Sequence, residues 1–282
     1  MRYTAENLQY DGAITMSTKR KLIGLSAATV FAAMHAVPTL ANIQVWDFNS
    51  ASQSFSGSGN GNSLSLTSSD GINLTVTGWS DTDDVSGADK VETAQLIWAQ
   101  SSALGIVNRD EDSGSPNHSV DSVTSDSDGE FDMLLLEFDT AVNLTHLDLD
   151  WAVGGNQSNT TDISILAWGG SGSGSVLGKT WGGVLDNSVG YGSAGNYSNV
   201  GLSYYSVNPT NIESTKWLVG VYNPVFGSGG DAGDDGMKLS KIKTSTRAPD
   251  PTPQVPVPGT AALLLAGLLG LRGRRKGSVK AV

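Results

Sequence analysis

The densest run of polar side chains in the sequence is Asn108-Arg109-Asp110-Glu111-Asp112, followed closely by Asn117-His118. Amides, carboxylates and an imidazole gathered in one inter-strand loop can bind a polar ligand or a hard cation such as calcium, which takes six to eight oxygens. The same residues also suit a plain structural loop, with Arg109 paired to Asp110 or Asp121 and Asn117 supporting a turn after Pro116. Three more acidic clusters lie on glycine-permitted turns: Asp81 to Asp84, Asp126-Ser127-Asp128-Gly129-Glu130, and Asp231 to Gly236 with Asp234 and Asp235. Each offers several oxygens to calcium. None fits an EF-hand loop: with Gly129 at the sixth position, Thr124 falls first and Leu135 last.

Other chemistries find less to work with. The chain has no cysteine, which removes disulfides, thiolate zinc sites and cysteine nucleophiles together. His118 and His146 are the histidines after Asn42, and they are not spaced as a metal-ligand pair. There is no Gly-x-Ser-x-Gly nucleophile motif, and no glycine run ends in the Lys-Ser/Thr of a phosphate-binding loop. A pair of carboxylates could still serve glycoside hydrolysis, but carboxylates this abundant read first as solvated surface, and no catalytic residue is assigned. Seven tryptophans offer apolar anchors. Trp46, Trp151, Trp168 and Trp217 lie within strand patterns and are expected in the core. Trp79, Trp98 and Trp181 lie at strand ends or in loops, where an exposed indole could stack on a sugar ring.

These residues must be carried by a chain whose charge is uneven. Between Asn42 and Pro258 there are 8 basic and 26 acidic residues, a formal charge of −18 against −11 for the whole. A field of that sign repels nucleic acid, which is excluded as a partner, and attracts cations. The elements read as strands. Ile43 to Phe48, Leu64 to Leu66 and Ile72 to Val76 open the series, the latter two alternating cleanly. Met133 to Leu136 is continuously apolar, as a strand covered on both faces would be. Val142 and Leu144 keep one phase and Leu147, Leu149 and Trp151 the other, so Thr145-His146 marks a bulge or a turn. Ile163 to Ile165, Tyr204-Tyr205, Trp217 to Tyr222 and Met237 to Ile242 complete the set. The glycine-rich stretch from Gly169 to Val200 is read as a hairpin with a long tip. Turn residues punctuate these runs and no helix-period segment of useful length occurs. The spacing predicts an all-β domain, a two-sheet antiparallel β-sandwich of jelly-roll type.

The ends carry different signals. Residues 1–15 lack leader character, and Met16 is the expected start. Residues 16–41 follow as a signal peptide, with basic Lys19-Arg20-Lys21, an apolar stretch from Leu22 to Ala36, and cleavage between Ala41 and Asn42. The ectodomain is expected over residues 42–248, and a proline spacer over 249–258. Residues 259–277 hold an apolar run, a short transmembrane helix, closed by Arg272, Arg274, Arg275 and Lys276. The motif Val255-Pro256-Val257-Pro258, the apolar run and the basic cluster together resemble a PEP-CTERM sorting signal, read by exosortases. A Val stands where that motif carries Glu.

The ectodomain extends the resemblance. Leu104 to Glu111, Ser115 to Asp121, Phe131 to Phe138, Asp162 to Trp168, Trp217 to Phe226 and Asp235 to Ile242 look, in that order, like a family of exosortase-dependent bacterial surface proteins. The resemblance implies export through the inner membrane, with transient residence there, and processing by an exosortase-like enzyme. It implies the cell surface or extracellular matrix as destination, or membrane anchoring if the tail is kept. A structural or adhesive role in an envelope or biofilm polysaccharide matrix is the expected function, without catalysis. The alternative is a lectin-like carbohydrate-binding module that uses calcium, and a glycoside-active enzyme stands third.

Overall fold

A computed structural model describes residues 41–82, 89–99, 102–109, 118–122, 130–154 and 157–246. The leader through residue 40, the proline spacer and the 259–277 segment lie outside the described residues, and so do Asp110, Asp112, Asn117, Asp126 and Asp128. Among the described residues no helix is long and apolar enough to cross a membrane.

The strands are β1 (Asn42–Asp47), β2 (Ser63–Thr67), β3 (Asn73–Thr82), β4 (Lys90–Ala99), β5 (Ala103–Val107) and β6 (Val120–Asp121). They continue with β7 (Asp132–Gly154), β8 (Gln157–Ser158), β9 (Thr160–Trp168), β10 (Tyr191–Gly201), β11 (Tyr205–Ser206), β12 (Ser214–Val221) and β13 (Gly236–Thr246). Every pairing between them is antiparallel. The all-β expectation therefore holds.

The sheets are not separate layers, because two strands belong to both. The first part of β7 lies between β3 and β12, with Leu136 opposite both Val76 and Trp217. Its second part, from Asn143, pairs with β13. β4 divides in the same way: Lys90–Ala94 pair with β3 and Gln95–Ala99 with β5. The pairings consequently close a ring of five strands, β13-β5-β4-β3-β7 and back to β13. β12, β9 and β10 extend from β7 beyond it.

Bulges set which side chains point inward along β7. Lys243 faces His146 while Thr244 faces Leu144, so Thr145 is the extra residue. The phase slip at Thr145-His146 is thus a bulge and not a turn. A second shift leaves Asp150 unmatched between Leu149 and Trp151. It flips the alternation again, so Ala152 is buried and Trp151 is only half-buried. Trp151, expected in the core, instead carries the Lys238 ammonium 4.9 Å from its ring centre.

The central position of β7 gives it two apolar faces. Leu134 and Leu136 join Trp217, Val219, Ile163 and Ile165 in the main core. Met133 and Leu135 join Leu166 and Leu218 in a second cluster on the opposite face. The cover for that second face comes from the β9–β10 hairpin. Its tip, residues 169–190, folds back so that Val176, Trp181, Val184 and Val189 are buried against it. Each such side chain removed from water contributes about 1.5–3 kcal/mol. The long-tipped hairpin is present, and its tip is a packed element. Trp181, expected on an exposed face, is only 3% exposed; its indole N–H donates to the Phe131 carbonyl at 3.0 Å.

Candidate functional site at the acidic end of the ring

Antiparallel register brings the polar segments to one end of the strands. Ser80 at the end of β3 faces Asp132 at the start of β7. Gly236 at the start of β13 faces both Asp121 of β6 and Val153 near the end of β7. Val221, ending β12, faces Ile163 near the start of β9. Asp81, Asn108, Arg109, the His118–Ser122 segment, Glu130, Asp162 and Asp231–Asp235 therefore all gather there.

They form two networks. In the first, Asn108 donates to a Glu130 carboxylate oxygen at 2.8 Å. Arg109 lies 3.0 Å from the Glu92 carboxylate and also donates to the Thr93 carbonyl and hydroxyl at 3.2 and 3.0 Å. Of the two expected partners of Arg109, Asp110 lies outside the described residues and Asp121 gives way to β4, which runs antiparallel beside β5. Asp121 instead accepts from the Ser119 hydroxyl at 2.6 Å. His118 is exposed, with φ at 69°. Its carbonyl lies so close to Gly105 that a Cβ there would collide with it.

The second network centres on Asp235, 1% exposed. Its Oδ1 accepts from the Asp162 amide at 2.7 Å and the Thr161 hydroxyl at 3.1 Å. Asp162 accepts from the amides of Asn199 at 2.8 Å and Asp231 at 3.0 Å. Burial pushes Asp235 up to about 7, the Asp162 charge adding to the effect, and raises Asp162 also. Asp81, which accepts from the Phe131 amide at 2.6 Å, is pushed up to about 6, again chiefly by burial. Asp234 stays exposed beside its buried neighbour. The sequence-predicted residues in the described parts thus reach the same end, but Asn108, Arg109 and His118 do not join Asp234 and Asp235. Among the described residues no three carboxylate or imidazole groups are arranged to hold a metal ion by themselves.

Sequence reasoning passed over Ser122, Thr161 and Asp162. The signal for Asp162 was present: an acid placed directly before the apolar run Ile163-Ser-Ile165 at the mouth of a core strand.

The far end of β9 holds a cleft of about 500 Å³. Trp168, Tyr191, Asn187, Ser193, Glu213 and Thr215 are among its lining residues. Trp168, expected in the core, is half-buried because it closes its strand at the rim. Its ring is held by an N–H donated to the Val189 carbonyl at 3.1 Å, and the Lys216 ammonium lies 5.7 Å from the ring centre. Trp98 stacks on Phe55 with ring centres 4.7 Å apart, and Trp79 is half-buried.

Compared with protein-family models, with curated proteins and with solved structures, the chain matches none.

Proposed function

We propose that this protein is an exported surface or extracellular-matrix component, sorted by an exosortase-type system, with a structural or adhesive role among envelope or biofilm polysaccharides. The observation that carries this reading is the tripartite layout of the chain. A basic-apolar leader precedes Asn42 and a Pro-apolar-basic tail follows the domain, with a −18 all-β block between them. Its partners on this reading are an exosortase-like enzyme, the inner membrane transiently, and matrix polysaccharide. The finer architecture belongs to the same proposal: a jelly-roll-like sandwich of two antiparallel sheets, with β4 and β7 turning the corner between them. The main core shared by residues of β3, β7, β9, β12 and β13 supports it.

The Trp168 cleft favours a second reading, a lectin-like module. An indole fixed at a rim lined by amide, hydroxyl and carboxylate groups suits the apolar face and hydroxyl edge of a pyranose. A glycan array separates the readings. A structural component is expected to stay with washed matrix polysaccharide and select no glycan class. Reproducible capture of one class, lost in Trp168→Ala but kept in Trp98→Ala, would replace the first reading by the second.

A further inference from the structure

At the acidic end, Ser122 and Asp235 stand directly opposite one another. The Ser122 amide donates to the Asp235 carbonyl at 2.9 Å, one step beyond the Asp121–Gly236 pair. Residues opposite each other in an antiparallel ladder project to the same face, with Cβ atoms about 4.5–5.5 Å apart. Two residues along that face, Val120 and Met237 enter the main core. Ser122 is 0% and Asp235 1% exposed. Both nevertheless present an oxygen without a hydrogen-bond partner, Ser122 Oγ and Asp235 Oδ2.

A buried carboxylate oxygen with nothing to accept from is costly, and such sites are usually completed by a water, a proton or an ion. Here the surroundings choose. The other Asp235 oxygen already takes two donors, and the neighbouring acids are Asp162, Asp231 and Asp234. We infer that Asp235 Oδ2 and Ser122 Oγ are two ligands of a calcium site at the acidic end, its shell completed by main-chain oxygens and water. An all-oxygen set with few charged ligands suits calcium better than magnesium, which keeps its own waters and demands octahedral geometry. Its affinity belongs with extracellular modules, about 10⁻⁴–10⁻³ M. The site is independent of how the chain is sorted.

Trp151 provides the readout, since a Cβ on Gly236, the residue after Asp235, would lie 3.1 Å from its ring. Terbium, which substitutes for calcium, should give saturable tryptophan-sensitised luminescence when titrated into the full chain at pH 8. Calcium should displace it more effectively than magnesium. Asp235→Asn, nearly the same size, should weaken binding at least tenfold, and Ser122→Ala several-fold. Asp139→Asn, an exposed carboxylate held by Asn73, should change nothing. Ser122→Ala leaves the Asp235 hydrogen bonds in place and serves if Asp235→Asn fails to fold. An absence of saturable signal, or affinity unchanged in folded Ser122→Ala, would overturn the site.

Discussion

Trp217→Ala is expected to cost about 3–5 kcal/mol, the range for removing a large aromatic from a closed core. Trp217 is fully buried on β12, between β7 and β9, facing Leu136 on one side and Ala167 on the other. Nothing nearby is positioned to fill the void, because its cross-strand neighbours are held by ladders on both sides. The indole N–H also donates to the Ser214 carbonyl at 3.2 Å, which would lose its partner. For a domain of this size each kcal/mol shifts Tm by roughly 2–4 °C, so a fall of about 6–20 °C is expected. Trp217→Phe should cost about half as much, and Trp168→Ala, half-buried at the cleft rim, about 1–2 kcal/mol. Denaturant melts of the three variants test the order. Equal costs for Trp217→Ala and Trp168→Ala would contradict the placement of the core.

Acidification from pH 8 to pH 5 is expected to stabilise the calcium-free protein, the reverse of ordinary acid denaturation. Burial holds Asp235 at about 7 and Asp81 at about 6, both above the ordinary 3.8. Between 3.8 and those values the folded chain binds more protons than the unfolded one, so stability falls as pH rises. The contribution is fully present below 3.8 and is lost by about pH 7. One pH unit inside the window is worth at most about 1.4 kcal/mol per group; screened by nearby water, about 1–2 kcal/mol over the whole window is a fair expectation. Two groups act in the opposite direction: His146, lowered chiefly by burial, as pH falls below about 6.5, and Asp139, lowered by hydrogen bonds from the Asn73 amide and side chain, only below the ordinary carboxylate range. Asp235→Asn should reduce the slope, leaving the part due to Asp81 and Asp162. Thermal melts in chelator at pH 5, 6, 7 and 8 decide it. A Tm that rises with pH would mean that neither buried acid controls folding, and a slope unchanged in Asp235→Asn would mean that Asp235 does not. Calcium should help most at pH 8, where Asp235 is ionised, and little at pH 5.

Much of the fold could be read from side-chain periodicity. The continuous run Met133-Leu134-Leu135-Leu136 indicated a strand covered on two faces, and the two clusters that receive its alternate residues bear this out. The phase slip at Thr145-His146 located a bulge because one extra residue reverses the alternation. β4 escaped notice for the converse reason. It buries Val91, Ala94, Leu96 and Ala99 while crossing from one partner strand to another, so no single period describes it. β10 carries few apolar residues; two register shifts interrupt its pairing with β9. The tryptophans were sorted by local pattern, and long-range events moved them: a bulge turned Trp151 outward, while the folded-back tip buried Trp181. At the acidic end, Asp81, Asn108, Arg109, Glu130 and Asp235 lie in four separate stretches of sequence, and register brings these described residues to one place. Ser122 was overlooked because one short hydroxyl carries no local signature, and Asp162 because its position directly before the apolar run Ile163-Ser164-Ile165 was read only as a strand start. Only pairing partners 113 and 73 residues away, at Asp235, give them meaning.

The central claim, that the chain is exported and then sorted at both ends, is tested most directly by the intact mass of the protein recovered from the surface of cells with a cognate exosortase. The expected mass begins at Asn42 and lacks the segment from Gly259 to Val282. A mass that retains residues 16–41 together with that segment would contradict the account.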